Sequence, residues 1–333
     1  MQAAIVYDFD RPPRYGDVPA PAPAAGEVRV RIAAAALSQL ARAQASGRHY
    51  SSPPAPPFVP GVDGVGLLDD GRRVYCAFPR VPHGTMADET VVPAAACVDV
   101  PDAVDDVTAA AIANPGMSSW AALAERARFA AGEAVLVNGA TGVSGRLAIQ
   151  IARHLGARRV VATGRTAASA EPLLALGADR AIALDQPPEE LREAFRRELR
   201  GDGIDVVLDY LWGPSAEQFI AACAGHGTAA GEPRVRFVQI GTLAGATIPL
   251  PGAALRSSGL ELLGSGIGSV SNAGLLGAIG AMLRAVVPAG LTVAADPVPL
   301  ADVERAWDAD AGGRVVFTTG LSTNDPTTGE RAP

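Results

Sequence analysis

The sequence contains no lysine, so all 28 of its basic residues are arginines. This absence excludes Schiff-base chemistry and any proton transfer by a lysine side chain. Cysteine is scarce as well, since only Cys76, Cys97 and Cys223 occur and they are far apart. Three scattered cysteines are too few for a disulfide framework or a four-thiolate metal site, and they suit a reducing compartment.

Positive charge is in deficit, because the formal net charge is −7 at pH 7. A nucleic-acid partner requires a basic surface, so none is expected. The longest apolar run, residues 273–283, is too short to span a bilayer. The first residues include acidic groups where a signal peptide has a basic and then an apolar stretch. We therefore expect a cytoplasmic protein without a membrane partner.

The length of 333 residues predicts two domains. Short β segments punctuated by proline and glycine come first and predict a small β-rich domain. From about Asn114, short runs rich in valine and isoleucine alternate with helical segments. Six such runs predict a six-stranded, doubly wound parallel sheet covered by helices on both faces. The segment DPVPLADVERAWDADAGGRVVFT predicts a helix and a last strand, which are expected to rejoin the first domain.

A glycine-containing turn links the first predicted strand of that sheet, AVLVNG, to the helical segment RLAIQIARHLGA. Glycines let a backbone approach a pyrophosphate closely, and amide groups at a helix amino terminus meet its charge. Strand, turn and helix together therefore predict a dinucleotide site. Its predicted residues are Ala140, Thr141, Gly142, Val143, Ser144 and Gly145.

The end of the second strand distinguishes NAD from NADP. An NAD site places a carboxylate there, on the ribose hydroxyls. Here the residues are Thr163, Gly164 and Arg165, and no carboxylate is among them. A guanidinium presents a planar fork of donors to phosphate oxygens, so the sequence favours NADPH, with a solvated surface arginine as the alternative.

Several motifs, in this order, resemble the medium-chain dehydrogenase/reductase superfamily and especially its zinc-independent quinone oxidoreductases. They are PFVPGVDGVG, GTMADETVVP, PGMSSWAAL, VLVNGATGVSGRLAIQIARHLGA and GRVVF. The resemblance implies an α/β fold with a GroES-like β-rich catalytic domain, residues 1–113 and 289–320, and a Rossmann NADPH-binding domain, residues 114–288. It also implies a nicotinamide cleft between them and a homodimer joined near residues 260–264. We expect residues 321–333 to form a frayed tail.

Zinc-dependent members of the superfamily carry a cysteine, a His-Glu pair and a further cysteine or acid at three positions. This chain has Ser38, Val62 with Asp63, and Asn114 there. Serine, valine and asparagine do not replace the soft or imidazole ligands of catalytic zinc. We therefore expect no metal.

The candidate catalytic residues are Tyr50, His49 and Asp63. Quinone oxidoreductases have an Asn-Pro-x-Asp run where this chain has Ser38 to Ala41. Tyr50 matches a tyrosine that is usual in the family, and its phenol can donate a hydrogen bond to a substrate carbonyl or to the nicotinamide ribose. Packing as an aromatic lid is the alternative. His49 and Asp63 complete the candidate set, against a solvated loop histidine and a turn-capping carboxylate.

The turn after the fifth strand is expected to border the nicotinamide, because ligands lie beyond the carboxyl ends of parallel strands. The resemblance implies that the turn after the sixth strand also lies beside the nicotinamide, where it is expected to shape the substrate pocket. The predicted residues are Ile240, Gly241 and Thr242 after the fifth strand, and Gly264, Ser265 and Gly266 after the sixth.

The leading hypothesis is an NADPH-dependent enzyme that transfers hydride to a small quinone or α,β-unsaturated carbonyl compound without zinc. Such substrates accept hydride when oriented and hydrogen-bonded, whereas a simple ketone lacks its Lewis acid. One alternative is a tailoring reductase with a dedicated substrate in a biosynthetic pathway. The other is a non-enzymatic NADPH-binding protein.

Overall fold

The structure is a computed structural model, and it describes residues 1–49, 51–224, 232–309 and 312–323. Over these residues the chain separates into two compact units. The first contains residues 1–114 and the described chain from Ile279 onward, and the second contains residues 115–278. None of the helices in these ranges is long and apolar enough to cross a membrane.

The strands of the described residues are numbered in chain order. They are β1 (Gln2–Ile5), β2 (Arg14–Asp17), β3 (Glu27–Ala36), β4 (Asp63–Leu68), β5 (Arg73–Ala77), β6 (Glu89–Pro93), β7 (Cys97–Asp99), β8 (Ala134–Asn138), β9 (Arg159–Gly164), β10 (Arg180–Ala183), β11 (Val206–Asp209), β12 (Arg234–Gln239), β13 (Gly259–Gly264), β14 (Ala295–Pro299) and β15 (Arg314–Thr318).

The α-helices follow the same numbering. They are α1 (Gln39–Ala45), α2 (Asp106–Ala121), α3 (Val143–His154), α4 (Ala170–Ala175), α5 (Pro188–Arg200), α6 (Gly213–Cys223), α7 (Gly252–Arg256), α8 (Asn272–Ala285) and α9 (Val303–Ala306).

The first unit is built on a largely antiparallel sheet with the strand order β14-β15-β3-β4-β5-β7, and β6 also pairs with β3. Its core is formed by apolar side chains such as Val30, Ile32, Trp307 and Phe317. β15 pairs with β3, so the last strand lies in the sheet of the first unit.

The second unit contains a six-stranded parallel sheet in the order β10-β9-β8-β11-β12-β13. All five residues of β8 are buried, as expected for a strand with helices on both faces. Phe195 on α5, Phe219 on α6 and Phe237 on β12 pack together on the sheet. The predicted fold class is confirmed. The strand order reverses between β8 and β11, which is where such sheets bind ligands.

One element differs from the prediction. Residues Ala295–Pro299 form a strand, β14, at the start of a segment for which the sequence predicted a helix and only the last strand. β14 is the edge strand of its sheet and pairs only with β15 among the described strands. An edge strand tolerates Pro297 and Pro299, which have no backbone N–H to donate. The predicted helix is reduced to α9, which has four residues.

Candidate dinucleotide-binding edge of the parallel sheet

The predicted cofactor residues follow the carboxyl ends of four strands of one sheet. These strands are β8, β9, β12 and β13, with β11 between β8 and β12. Because all five strands run parallel, their carboxyl ends lie along a single edge. The structure therefore brings the predicted cofactor residues to one side of the second unit.

The loop after β8 has the form of an anion site. Gly142 is the residue before α3, it is exposed, and no side chain caps the helix there. The first N–H groups of a helix have no partner within it and carry its positive dipole end. A Cβ atom placed on Gly142 would have nothing within 4 Å. Thr141, Val143 and Ser144 are exposed or half-buried at the same loop. This geometry fits a pyrophosphate.

Two predicted contact residues, Ala140 and Thr163, are fully buried. The N–H of Ala140 donates to the carbonyl oxygen of Thr163 at 2.9 Å. The Thr163 hydroxyl donates to Asn138 Oδ1 at 2.8 Å and accepts from the N–H of Gly139 at 2.9 Å. The structure corrects the expectation that these two residues touch the cofactor, because their polar groups are already used inside the protein.

Arg165 is exposed directly after β9. Its side chain makes no hydrogen bond or ion pair with the rest of the described chain. Gly164 is buried, and a Cβ atom on it would overlap Ser169. Arg165 is thus the member of the predicted trio that is free to bind a phosphate, and Gly164 serves close packing.

The turn after β12 is attached to the end of β11. The N–H groups of Ile240 and Gly241 both donate to the carbonyl oxygen of Asp209, at 2.7 and 3.1 Å. A Cβ atom on Gly241 would lie 2.6 Å from the carbonyl oxygen of Tyr210. Thr242 is exposed. These hydrogen bonds therefore fix the position of the turn relative to the carboxyl end of β11.

The segment after β13 is attached in the same way. The N–H of Ser265 donates to the carbonyl oxygen of Gln239 at 2.9 Å. The carbonyl oxygen of Gly264 accepts from Arg126 Nε at 2.6 Å. Gly266 is exposed, and its N–H donates to Ser269 Oγ. The two predicted nicotinamide turns are thus neighbours on one edge.

Sequence reasoning missed the residues that follow β11. The buried carboxylate of Asp209 accepts from the N–H groups of Leu211 and Trp212. Burial raises the pKa of Asp209, while hydrogen bonds from Asn138 and these N–H groups oppose the rise. Burial also raises the pKa of Tyr210 to about 12. The strand-like run DVVLDY was a usable signal, because its end belongs to the same carboxyl edge as the other sites.

The three candidate catalytic residues differ in where the structure places them. Tyr50 lies outside the described residues. His49 is held in its loop, where its Nδ1 lies 2.7 Å from Ser51 Oγ. Asp63 begins β4 and is 2% exposed, so it is neither a turn cap nor reachable by a substrate in this structure. The expectation that Asp63 is catalytic is therefore corrected: its side chain makes contacts inside the protein.

Asp63 belongs to a buried polar group in the first unit. The Tyr75 hydroxyl donates to Asp63 Oδ2 at 2.6 Å, whereas Oδ1 has no hydrogen-bond partner among the described residues. Burial raises the pKa of Asp63, and the charge of Arg314 and hydrogen bonds from Tyr75 and Asn114 oppose the rise. Burial also raises the pKa of Tyr75.

The positions that correspond to zinc ligands do not fit a metal. Ser38 is buried and its Oγ accepts from the N–H of Ala41 at 3.0 Å, which caps α1. The Asn114 side chain lies close to Asp63 and opposes the rise of its pKa. Within the described ranges, no three or more histidine, cysteine, aspartate or glutamate side chains are grouped so that they could hold a metal ion.

Comparison with known proteins gives one family and several relatives. The model of the family described as zinc-binding dehydrogenase matches residues 144–284, which exclude Ser38, Val62 and Asn114. The chain is 27% identical to a probable NADPH-dependent quinone reductase of Emericella nidulans, over 95% of this chain and 99% of the relative. It is 28% identical to a 2-haloacrylate reductase of a Burkholderia species, over 53% of this chain and 57% of the relative.

A solved structure extends the likeness to the whole chain. The quinone oxidoreductase of Thermus thermophilus, whose complex with NADPH is also known, superposes with a TM-score of 0.75 at 29% identity. It covers 96% of this chain and 100% of that protein. A mycocerosic acid synthase-like polyketide synthase of Mycobacterium tuberculosis and a phthioceranic/hydroxyphthioceranic acid synthase of Mycobacterium bovis match as well, but the chain spans only 7–8% of their length.

Proposed function

We propose that the chain is an NADPH-dependent oxidoreductase of the medium-chain dehydrogenase/reductase superfamily, because it is similar to quinone oxidoreductases of that superfamily. We propose further that it reduces a small quinone or α,β-unsaturated carbonyl compound without zinc. The observation that carries the proposal is the edge of the parallel sheet, where an uncapped helix start and a free arginine follow adjacent strands.

The residues of this edge fit NADPH. The N–H groups of Val143 and Ser144 would hold the pyrophosphate, since the space beside Gly142 is open. Arg165 would bind the 2′-phosphate with its planar donors. The turns that begin at Ile240 and Gly264 would border the nicotinamide. When bound, NADPH supplies a hydride to an electrophilic carbon of the substrate.

Negative charge then develops on the substrate oxygen, and the chain must stabilise it. With no lysine in the sequence and no fitting zinc ligands, a phenol is the donor that the family resemblance offers. We propose that Tyr50 donates a hydrogen bond to this oxygen and that Tyr50 or water delivers the proton. A quinone or an enone suits such a site, because its own conjugation activates the carbon.

The similarity to a quinone reductase and to a 2-haloacrylate reductase supports this substrate class, since both names denote reduction of an activated, electron-poor compound. We also propose a cytoplasmic homodimer joined through β13. β13 is the edge strand of its sheet, so its outer side has no partner strand in the described chain.

The test is NADPH oxidation with a panel of quinones, enones and simple ketones. We expect turnover with quinones or enones and none with simple ketones. Binding of NADPH without turnover of any substrate would favour the non-enzymatic alternative. Turnover of one unusual substrate alone would favour a dedicated tailoring reductase.

A further inference from the structure

We propose that Asn138 is a positioning residue for the dinucleotide. Its side chain sets the separation between the phosphate loop after β8 and the turn after β12, and thereby determines how tightly a ligand that spans both is held. The inference rests on the proposed NADPH binding. Asn138 is only 2% exposed, so it acts through its neighbours and not by contact with the cofactor.

The Asn138 amide joins three adjacent strands. Its Oδ1 accepts from Thr163 Oγ1 on β9 at 2.8 Å. Its Nδ2 donates to Asp209 Oδ1 on β11 at 2.8 Å and to Ser215 Oγ on α6 at 2.9 Å. Because Asn138 is the last residue of β8, these bonds tie the carboxyl ends of β9, β8 and β11 at the point where the strand order reverses.

One branch of the network leads to the phosphate loop. Thr163 Oγ1 accepts from the N–H of Gly139 at 2.9 Å, and the Thr163 carbonyl oxygen accepts from the N–H of Ala140 at 2.9 Å. The bond from Thr163 to Asn138 therefore fixes where the loop leaves the sheet. Arg165 follows Thr163 by two residues, so the same branch places the expected 2′-phosphate contact.

The other branch leads to the nicotinamide side. The carbonyl oxygen of Asp209 accepts from the N–H groups of Ile240 and Gly241. Its carboxylate accepts from the N–H groups of Leu211 and Trp212, and Trp212 has a φ of 55°, which side-chain-bearing residues rarely adopt. Asp209 thus holds a strained turn as well as the turn after β12.

This position requires a primary amide, because one planar group must accept a hydrogen bond from Thr163 and donate hydrogen bonds to Asp209 and Ser215. Leucine would leave the Asp209 carboxylate and the Thr163 hydroxyl each without one partner. A buried polar group without its partner is costly, and the strand ends relieve the cost by moving apart or admitting water. Either response changes the separation of the two branches.

The experiment compares two ligands of different length. NADPH spans both branches, whereas adenosine 2′-phosphate would reach only the Arg165 side. We expect Asn138→Leu to raise the Kd of NADPH about tenfold or more, the effect of one unsatisfied buried group. The Kd of adenosine 2′-phosphate should stay within about twofold of the parent value, since one branch alone is enough to bind it. Fluorescence titration and competition measure the two constants.

Asn138→Asp is the second variant, because it keeps the shape of the side chain, removes the amide N–H groups that donate to Asp209 and Ser215, and places a second acidic group beside the Asp209 carboxylate. It should weaken NADPH binding in the same selective way. Ser215→Ala is the matched control, since it removes another bond of the same amide that leads to α6 and to neither branch. We expect it to leave both Kd values within about twofold of the parent.

Selective loss of NADPH affinity in both Asn138 variants supports the proposal. Parent-like NADPH binding by Asn138→Asp overturns it, as does an equal loss of both ligands or an equal effect of Ser215→Ala. If the parent protein itself does not bind NADPH, the proposed function fails and this inference fails with it. If the parent binds NADPH and the variants do so equally well, the positioning role alone is wrong.

Discussion

A methyl group added at Gly145 would overlap the carbonyl oxygen of Gly139 and would lie 2.6 Å from the Cα atom of Ala140. The first turn of α3 therefore packs directly on the chain that leaves β8. Gly142, three residues earlier, has nothing within 4 Å of the same added atom. The two glycines of one loop thus serve different needs: Gly145 allows helix and strand to approach, and Gly142 leaves room for a ligand.

Exchanging each glycine for alanine separates these roles. Gly145→Ala should lower the free energy of unfolding by about 2–3 kcal/mol, because backbone atoms must move to make room. Gly142 is the N-cap residue and has an ordinary φ of −74°, so Gly142→Ala should lower the free energy of unfolding by less, about 0.5–1 kcal/mol for the poorer cap, yet weaken NADPH binding. Urea unfolding and NADPH titration measure the two effects. Equal destabilisation by both changes would contradict the assignment.

Arg165→Ala should remove the preference for NADPH over NADH. The guanidinium is exposed and makes no bond elsewhere in the described chain, so its loss should affect a bound 2′-phosphate more than the fold. We expect NADPH affinity to fall by roughly 1.5–3 kcal/mol, reduced by solvent screening, and NADH affinity to stay constant.

Arg200→Ala provides the matched control for Arg165→Ala. Arg200 is an exposed arginine at the end of α5. It precedes the amino end of β11 and therefore lies away from the carboxyl edge that carries the predicted cofactor residues. The control should keep the parent preference. An unchanged NADPH affinity in Arg165→Ala would show that Arg165 is a solvated surface residue that does not bind the 2′-phosphate.

The purified protein should contain no stoichiometric zinc. Ser38 caps a helix with its hydroxyl, Asn114 carries an amide and no thiolate or imidazole, and Val62 has no ligand atom in its side chain. Elemental analysis checks this, with activity assayed before and after treatment with a chelator. One zinc per chain, lost together with activity, would overturn the proposal.

Tyr50→Phe should reduce kcat by about 100-fold, because the variant loses a donor aimed at the developing oxyanion. The Kd of NADPH should stay near the parent value. Tyr7→Phe is the control, since Tyr7 is an exposed tyrosine that also loses only a hydroxyl group. Steady-state kinetics with a quinone or enone that the parent reduces gives the comparison. Parent-like turnover by Tyr50→Phe would leave it the role of a lid.

The sequence predicts those features of the fold and of the candidate site that depend on a local pattern of residues. The alternation of Val- and Ile-rich runs with helical segments identified all six strands of the parallel sheet, and the position of Gly142 between a strand and a helix identified the loop. It does not reveal that the Thr163 hydroxyl turns inward to Asn138, because that bond depends on which strands are neighbours. Strand order is a non-local property that no spacing of residues records.

The same limit explains Asp63. A carboxylate beside a Pro-Gly turn is typical of a cap, and only the pairing of β4 with β5 brings Tyr75 to within hydrogen-bond distance. β14 is a further case, since its two prolines argue against a strand until its edge position is known. The type and local position of a residue could thus be predicted from the sequence. The hydrogen-bond and strand partners that lie far away in the sequence could not.

Asp63 should make the protein less stable as the pH rises. Burial raises its pKa above the ordinary value of about 3.9. Between that value and the raised pKa, the folded chain keeps a proton that the unfolded chain has released. The folded state then binds more protons, so the contribution of Asp63 to the free energy of unfolding is present at low pH and is lost as the pH rises through the raised pKa.

Asp63→Asn removes this titration and keeps the acceptor for the Tyr75 hydroxyl. The free energy of unfolding of the variant, minus that of the parent, should therefore increase from about pH 4 to about pH 8 in urea unfolding experiments. Asp102→Asn is the control for the loss of a carboxylate, because Asp102 is exposed and makes no ion pair within the described residues. A difference for Asp63→Asn that does not change with pH would show that Asp63 titrates alike in the folded and unfolded chain.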